Sequence, residues 1–239
     1  GDVVQGQLGW QTWKASRCDA AEKFFPCPDR GLPHALDAGV LGMTGLSAWA
    51  GFTQHAQAQS GDLVVVSGAA GGVGSLVVQM ARIAGCRVIG IAGGPEKCSV
   101  VRELGCEAAI DYQGEDVHTR LGELCPDGID IYFDNVGGEI LASCLEHLAF
   151  GARIVLCGSI SEYTRDEPFG LTNITRLRSV NGTMRGFFVY HHLHQWTEAM
   201  DQMAGWIHDG RLRPVQDVLT GFQRMPEALS RLYDGGNTG

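Results

Sequence analysis

The stretch from Asp62 to Ser75, D-L-V-V-V-S-G-A-A-G-G-V-G-S, constrains the fold more than any other part of the chain. It opens with an apolar, mostly β-branched run at 63–66, which is typical of a buried parallel strand. A turn of glycine and alanine follows, and apolar residues then recur at helical spacing, which predicts a helix beginning near Gly72. A strand, a glycine turn and a helix together place backbone N–H groups and a positive helix end against a pyrophosphate. The sequence therefore predicts a dinucleotide-binding site.

The glycines of this turn have separate predicted roles. We expect Gly71 to let the phosphates approach the backbone, and Gly74 to let the helix pack close to the strand. Ala69 occupies the tight-turn position where many such folds have glycine. The glycine pattern alone is weak evidence, and its place between a predicted strand and a predicted helix makes it specific.

Strand and helix patterns alternate from residue 63 onward. Strands are predicted at 63–66, 87–91, 108–111, 129–134, 152–157 and 179–189. Helices are predicted to begin near 72 and to span 95–104, 117–124, 140–148 and 192–208, and a further helix over 36–52 bridges to the preceding segment. Repeating βα units of this length predict an α/β protein with a doubly wound parallel (Rossmann) sheet and right-handed crossovers.

The chain divides into three predicted segments. Residues 1–40, with tryptophans, prolines and short alternating runs, predict part of a separate β-rich domain. Residues 41–234 form the predicted dinucleotide-binding domain, and 235–239 the start of a return to the first domain. The first residue is Gly1 and the last are G-G-N-T-G, so we expect either a fragment or a protein whose remainder lies outside this sequence.

Composition bears on partners and compartment. A net charge of −9 argues against nucleic acid or an anionic membrane surface as the main partner, and no apolar run approaches the length of a membrane span. The 8 cysteines include no C-x-x-C pair, and most lie in apolar segments, so we expect reduced thiols and a cytoplasmic protein. His191, His192 and His194 have no nearby cysteine or carboxylate partner, so no metal site is predicted.

The end of the second predicted strand indicates which nucleotide is bound. In NAD-specific folds an acidic residue there accepts hydrogen bonds from the ribose 2′-OH. Here 91–94 is I-A-G-G, without a carboxylate, and Lys97 follows at the start of a helix. Gly93 and its neighbours leave room for a 2′-phosphate, and a lysine can pair with it, so the sequence predicts NADP. The alternatives are a surface lysine on an ordinary helix, and some NAD binding through Glu96.

Six motifs in order along the chain resemble one known family. They are L-G-M-T-G-L-S-A-W from Leu41, G-A-A-G-G-V-G-S from Gly68, G-P-E-K from Gly94, Y-F-D-N-V-G-G from Tyr132, G-A-R-I-V-L-C-G-S-I-S-E-Y from Gly151 and M-R-G-F from Met184. The chain resembles the medium-chain dehydrogenase/reductase superfamily, and within it the zinc-independent prostaglandin reductases (leukotriene B4 12-hydroxydehydrogenases) and alkenal double-bond reductases. The resemblance implies an N-terminal substrate domain of GroES-like β-barrel type, of which 1–40 would be a remnant, and a homodimer.

The resemblance also implies roles for individual residues toward NADP. Implied contacts are Met43 and Ser47 near the nicotinamide and phosphates; Ala70, Gly71, Gly72, Val73 and Gly74 along the pyrophosphate; Gly93, Lys97 and Tyr112 at the 2′-phosphate; Asn135 near the ribose; Cys157, Ser159 and Ile160 at the nicotinamide end; Phe187 and Val189 at the carboxamide; and Asn237 at a phosphate. For Tyr112 and Asn135 a purely structural role is the alternative to a contact with the cofactor. Tyr112 could be a strand-end aromatic, and Asp134 with Asn135 could shape the turn before two glycines.

The reaction that the resemblance implies is conjugate reduction of an α,β-unsaturated aldehyde or ketone. Hydride passes from the nicotinamide to the β-carbon, negative charge develops on the carbonyl oxygen, and the α-carbon then takes a proton. Tyr163 aligns with the tyrosine proposed to assist catalysis in this family, and its O–H could donate to the developing enolate. An exposed loop tyrosine is the alternative. A quinone reductase of the same superfamily and a non-catalytic NADPH-binding module are the alternative functions.

Overall fold

The computed structural model describes residues 1–6, 9–16 and 24–237, and most of its strands belong to one sheet. The strands are β1 (Val4–Gly6), β2 (Phe24–Pro26), β3 (Leu63–Ser67), β4 (Arg87–Ala92), β5 (Ala108–Asp111), β6 (Ile129–Asp134), β7 (Leu148–Leu156) and β8 (Thr183–Gly186). Six of them pair in parallel in the order β5-β4-β3-β6-β7-β8. The first two pair with each other in an antiparallel ribbon.

Helices connect the parallel strands. The α-helices are α1 (Met43–Ala50), α2 (Gly72–Ile83), α3 (Pro95–Glu103), α4 (Val117–Leu124), α5 (Gly138–Leu145), α6 (Arg176–Ser179), α7 (Trp196–His208) and α8 (Met225–Tyr233). Short 3₁₀ helices lie at His34–Ala38, Ile160–Glu162, Val189–Gln195 and Phe222–Arg224, and a π-helix at Gly51–Ala56.

Strand β3 shows why the sheet is covered on both faces. All of its residues are buried, and successive side chains point to opposite faces. Val64 and Val66 pack in a core shared with α1, α2 and α7, whereas Leu63 and Val65 pack in a core shared with α4 and α5. Helices on both faces of a parallel sheet are the doubly wound arrangement, so the predicted fold class is confirmed.

The strand order reverses beside β3. The chain runs from β3 to β4 and β5 on one side, and then returns to place β6 on the other side. In open α/β sheets, ligands bind in the crevice outside the carboxyl ends of the strands at such a switch point. Ser67 and Asp134, the last residues of β3 and β6, therefore mark the position of the expected crevice.

Several predicted boundaries in the second half of the chain are wrong. The α-helix predicted over 192–208 begins only at Trp196, because a 3₁₀ helix occupies Val189–Gln195. The fifth helix ends at Leu145, because Leu148 already pairs with Ile129 and opens β7. The sixth strand of the sheet covers only Thr183–Gly186 instead of 179–189, because only these residues pair with β7. Periodicity alone cannot locate such limits, since the pairing partners lie far away in the sequence.

The predicted helix over 36–52 is also interrupted. A 3₁₀ turn precedes Gly39 and Gly42, whose backbones are not helical, and α1 begins only after them. The helix then continues as a π-helix to Ala56. Gly45 allows this compact turn, because a Cβ there would collide with the carbonyl oxygen of Val40.

The N-terminal segment contributes the β1–β2 ribbon beside this core. Residues 7–8, 17–23 and 238–239 lie outside the described residues, and the assignment of 1–40 and 235–239 to a substrate domain stays a prediction. Among the helices that the structure describes, none is long and apolar enough to cross a membrane.

Candidate functional site

The glycine-rich turn joins β3 to α2 at the switch point. Gly68 has a φ of +58°, a conformation that L side chains rarely adopt, so the sharp turn is made at Gly68 and not at the buried Ala69. A Cβ at Gly74 would collide with the carbonyl oxygen of Gly68 and would lie 2.8 Å from its carbonyl carbon. Glycine at position 74 therefore lets the first turn of α2 lie directly against the loop.

The N-terminus of α2 provides backbone donors for an anion. Its N-cap residue is Gly71, in an extended conformation, and no side chain caps the helix. The first turn carries no acidic residue. Uncapped N–H groups and the helix dipole favour negative charge at this point, so the donor set fits a pyrophosphate. The predicted pyrophosphate residues Ala70, Gly71, Gly72, Val73 and Gly74 all lie in this turn and in the start of α2.

A second set of predicted residues meets at the ends of β4 and β5. A Cβ at Gly93 would lie 2.8 Å from the hydroxyl oxygen of Tyr112, so glycine leaves the space that the tyrosine ring occupies. Lys97 lies in the first turn of α3, and its Nζ donates to the carbonyl oxygen of Gly235 at 2.7 Å. Burial lowers the pKa of Lys97 below its ordinary value. Gly93, Lys97 and Tyr112 are thus brought to one end of the crevice.

Asp111, which the sequence analysis did not single out, also lies at this end. Its Oδ1 accepts hydrogen bonds from Gly94 N at 2.7 Å and from Gln113 N at 3.0 Å. This carboxylate therefore fixes the turn after β4 while its own oxygen is occupied by backbone donors. An aspartate that ends a strand and precedes a turn is a recognisable Asx-type signal, which the sequence carries in D-Y-Q-G.

Asn135 follows β6 on the other side of the switch point. Its backbone N–H donates to Ser67 Oγ at 2.9 Å, and its side-chain Nδ2 donates to Ser67 O at 2.7 Å. The side chain is thus held across the ends of β3 and β6. Asn135 therefore lies at the switch point, where the resemblance predicts a contact with the ribose.

The predicted nicotinamide end is formed by the chain segments after β7 and β8. Leu156 and Gly186 are paired at the ends of these strands, so the residues that follow them emerge side by side. Cys157, Ser159 and Ile160 come after β7, and Phe187 and Val189 come after β8. Burial, and then the carboxylate of Asp134, raise the pKa of the Cys157 thiol to about 12. The thiol therefore carries its proton at neutral pH.

Tyr163 lies at the end of the 3₁₀ turn Ile160–Glu162 and is 61% exposed. Its hydroxyl oxygen accepts a hydrogen bond from Ser159 N at 3.4 Å. Because the hydroxyl accepts there, its own proton stays available for donation to another oxygen. The side chain is accessible from solvent and is tethered to the predicted nicotinamide end.

The bridging helix places Met43 and Ser47 on α1, where Ser47 Oγ donates to Met43 O at 2.9 Å. Its π-helical end contains His55, a residue that the sequence analysis did not single out. His55 Nε2 lies 3.2 Å from His192 Nε2, and its ring centroid lies 5.0 Å from that of Phe187. The contact links two segments 137 residues apart, and no local pattern could have indicated it.

The histidine run at 191–194 makes hydrogen-bond and ring contacts with neighbouring residues. His192 binds His55 on one side and Gln195 Oε1 on the other at 3.0 Å. Over the described ranges, no group of three or more His, Cys, Asp or Glu side chains could hold a metal ion.

Asn237 lies apart from the glycine-rich turn in sequence and is next to the segment that binds Lys97. It lines a groove of about 350 Å³ with Trp10 and residues of α8. Gly235, two residues earlier, accepts the Lys97 hydrogen bond. The structure therefore brings this C-terminal segment to the Lys97 side of the molecule.

These features define a class of protein and then a family. A doubly wound parallel sheet with a glycine-rich turn and an uncapped helix at its switch point is a dinucleotide-binding α/β fold. Residues 72–205 match the family model described as zinc-binding dehydrogenase. The chain belongs to the medium-chain dehydrogenase/reductase superfamily, in the branch of prostaglandin and alkenal reductases.

Individual relatives agree with this assignment. The chain is 36% identical to the 2-alkenal reductase (NADP(+)-dependent) of Nicotiana tabacum, over all of this chain and 70% of the relative. It is 34% identical to prostaglandin reductase 1 of Bos taurus, over all of this chain and 74% of the relative. Among solved structures, CurA from Vibrio vulnificus in complex with NADPH superposes with a TM-score of 0.91 at 34% identity, covering 100% of this chain and 72% of that chain.

Proposed function

We propose that this protein is an NADPH-dependent reductase of the C=C bond of α,β-unsaturated aldehydes and ketones. The observation that carries the proposal is the end of β4, where 91–94 carries no carboxylate, Gly93 lies against Tyr112, and Lys97 follows in the first turn of α3. The Oδ1 of the nearby Asp111 is occupied by Gly94 N and Gln113 N. A carboxylate at the end of β4 would select a ribose 2′-OH, whereas a lysine and a tyrosine suit a 2′-phosphate. The relatives named as alkenal and prostaglandin reductases support the substrate class.

The residues have distinct proposed tasks toward the cofactor. The start of α2 holds the pyrophosphate by backbone N–H groups, and Lys97 and Tyr112 hold the 2′-phosphate. Asn135 contacts the ribose, and the segments after β7 and β8 enclose the nicotinamide and bind its carboxamide. When bound, NADPH supplies the hydride that reduces the β-carbon of the substrate.

Tyr163 has a proposed catalytic role. Its hydroxyl accepts from Ser159 N, which leaves its own proton available for donation. A phenol is neutral and protonated at pH 7, so it can donate to the carbonyl oxygen as enolate charge develops there. The thiol of Cys157, in the same segment after β7, stays protonated and adds no negative charge there.

A product analysis tests the function. The protein is incubated with a 2-alkenal and NADPH deuterated at the transferable C4 position, and the products are analysed by mass spectrometry and NMR. We expect a saturated aldehyde with deuterium on the β-carbon. An allylic alcohol with deuterium on the carbonyl carbon would contradict the proposal, and NADPH binding without any turnover would favour the non-catalytic module.

The quinone reductase alternative is tested in the same assay. The matched quinone oxidoreductase structures are 20–24% identical, so they show a shared fold and give no support for quinone as the substrate. A benzoquinone and a 2-alkenal are compared at equal concentration. A higher kcat/KM for the benzoquinone than for the 2-alkenal would show that quinones, and not enals, are the preferred substrate class.

We further propose a cytoplasmic homodimer. Strand β8 lies at one end of the sheet order, so its outer edge has no strand partner among the described residues. The cysteines that the structure describes are all free, which suits a reducing compartment. Light scattering coupled to gel filtration tests the oligomeric state, and a monomer at micromolar concentration would contradict it.

A further inference from the structure

Asp134 is a buried carboxylate that the proposed mechanism does not use. It ends β6 at the switch point, and 1% of its surface is exposed. Its Oδ1 accepts hydrogen bonds from Ser67 Oγ at 2.9 Å and from Tyr132 OH at 2.7 Å. The same oxygen accepts from the backbone N–H groups of Val136 and Gly137, each at 3.0 Å. One oxygen therefore collects two hydroxyl donors and two donors of the turn after β6.

The network extends to the turns after the neighbouring strands. Ser67 Oγ donates to Asp134 and accepts from Asn135 N at 2.9 Å, so it links the end of β3 to the turn after β6. The backbone oxygen of Asp134 accepts from Cys157 N at 2.9 Å and from Gly158 N at 3.1 Å. The end of β3 and the segments after β6 and β7 are thus connected through Asp134, the first two by its side chain and the third by its backbone oxygen.

A buried carboxylate at this position destabilises the fold unless hydrogen-bond donors compensate for its lost hydration. Burying a charge carries a penalty of several kcal/mol that only well-placed donors offset, and an apolar side chain would avoid it. Neighbouring positions of β6, such as Ile131 and Phe133, are apolar and buried. Two of the four donors to Oδ1 are backbone N–H groups of the turn after β6, and a third is the hydroxyl of Ser67 at the end of β3, so the carboxylate organises the meeting point of these two segments.

We propose that Asp134 is a positioning residue for NADPH, whose side chain presets Asn135 by holding the end of β3 and the turn after β6 in one arrangement, while its backbone oxygen holds the segment beginning at Cys157. The inference rests on the proposed function, because it concerns the ribose and nicotinamide end of that cofactor site. Gly93, Lys97 and Tyr112 lie after β4 and β5 and have no hydrogen bond to this network among the described contacts. Loss of Asp134 should therefore affect the two ends of the cofactor unequally.

Two ligands separate a positioning role from a general loss of structure. NADPH spans the whole crevice, whereas adenosine 2′-monophosphate occupies only the 2′-phosphate end. Dissociation constants are measured by fluorescence titration for NADPH and by NMR titration for the nucleotide, in the wild type and in Asp134→Asn, Asp134→Ala and Ser67→Ala. Hydride transfer at saturating NADPH is measured in parallel.

We expect Asp134→Ala and Ser67→Ala to raise the Kd of NADPH at least about tenfold, the effect of losing one net hydrogen bond of about 1.4 kcal/mol. The Kd of adenosine 2′-monophosphate should change less than about twofold. Asp134→Asn keeps an acceptor oxygen and should restore part of the NADPH affinity. If Asp134→Ala does not fold, Ser67→Ala and Asp134→Asn still test the proposal.

Gln79→Ala is the matched control. Gln79 is a buried polar side chain of α2 that bonds Ser75 O and Arg213 O, and it has no hydrogen bond to Asp134, Ser67 or Asn135 among the described contacts. It should lower stability without changing the ratio of the two dissociation constants. Equal weakening of both ligands by the Asp134 and Ser67 variants, or an unchanged Kd for NADPH, overturns the positioning role. If the wild type itself does not bind NADPH, the proposed function fails, and the positioning role fails with it.

Discussion

The contact between Gly93 and Tyr112 allows a prediction that separates folding from cofactor recognition. In Gly93→Ala, the new Cβ would lie 2.8 Å from the Tyr112 hydroxyl oxygen and 2.9 Å from Cε1 and Cζ of the ring. Ordinary contacts between carbon atoms are about 3.5–4.0 Å, so the ring must move by roughly 0.6–1 Å. Tyr112 is 46% exposed and has room to move, so the free energy of unfolding should change by less than about 0.5 kcal/mol.

The effect on NADPH should be much larger. A hydrogen bond to a charged group contributes about 1.5–3 kcal/mol, so its complete loss raises the Kd of NADPH by roughly 10- to 150-fold. NADH lacks the 2′-phosphate, and its Kd should stay within about twofold of the wild-type value. Both nucleotides are titrated by fluorescence, and unfolding is followed in urea.

A double-mutant cycle assigns the effect to the tyrosine. In a Tyr112→Ala background the new methyl group has no ring to displace, so Gly93→Ala should cost almost no NADPH affinity. Equal weakening by Gly93→Ala in both backgrounds would refute the reasoning, because the methyl group would then act on NADPH by some route other than Tyr112. Equal weakening of NADH would show that neither residue recognises the 2′-phosphate.

Four further outcomes are expected. Lys97→Ala should weaken NADPH by about 1.5–3 kcal/mol and leave NADH unchanged by calorimetry, and equal losses would remove Lys97 from 2′-phosphate recognition. Tyr163→Phe should slow single-turnover hydride transfer by up to roughly 10²- to 10³-fold at an unchanged Kd for NADPH, and an unchanged rate removes Tyr163 from the mechanism. Gly74→Ala should lower the free energy of unfolding, measured in urea, by about 1–3 kcal/mol or more, because its Cβ collides with the turn after β3. Gly205→Ala in α7 is the matched control: its Cβ has nothing within 4 Å, so the free energy of unfolding should rise by about 0.4–1 kcal/mol. Burial raises the pKa of the Cys106 thiol from 9.0 to about 12, so above pH 9 the native state keeps a proton that the unfolded state loses. The free energy of unfolding should therefore fall above pH 9 by up to about 1.4 kcal/mol per pH unit from this thiol. Cys106→Ala should make this fall shallower in urea unfolding.

The parts of the fold that could be predicted are those whose cause is local. The β-branched run of β3 and the glycines before α2 lie next to each other in the sequence, and together they specify a strand, a turn and a helix. The start of β7 could not be predicted in this way. Leu148 continues the apolar pattern of the preceding helix, and only its pairing with Ile129 places it in the sheet.

The site residues show the same distinction between local and long-range causes. The glycine turn and Lys97 were predictable because each lies just past a predicted strand, where such folds place phosphate contacts. The hydrogen bond from Lys97 to Gly235 and the contact between His55 and His192 span 138 and 137 residues, respectively. No periodicity or motif near either residue specifies these partners.

The polar residues that end buried strands could be predicted in part: the sequence indicates the edge of the sheet at which they lie, but not which of them pair. Ser67, Asp111 and Asp134 each close a largely buried strand of the sheet. Because the strands are parallel, their carboxyl ends meet at one edge, so such residues indicate the edge where a ligand binds. Which of them pair depends on the strand order, since Asp134 reaches Ser67 only because β6 lies beside β3, while Asp111 bonds the turn after β4. The sequence therefore indicates which polar side chains lie at the ligand-binding edge of the sheet, and the strand order determines which of them form hydrogen bonds with each other.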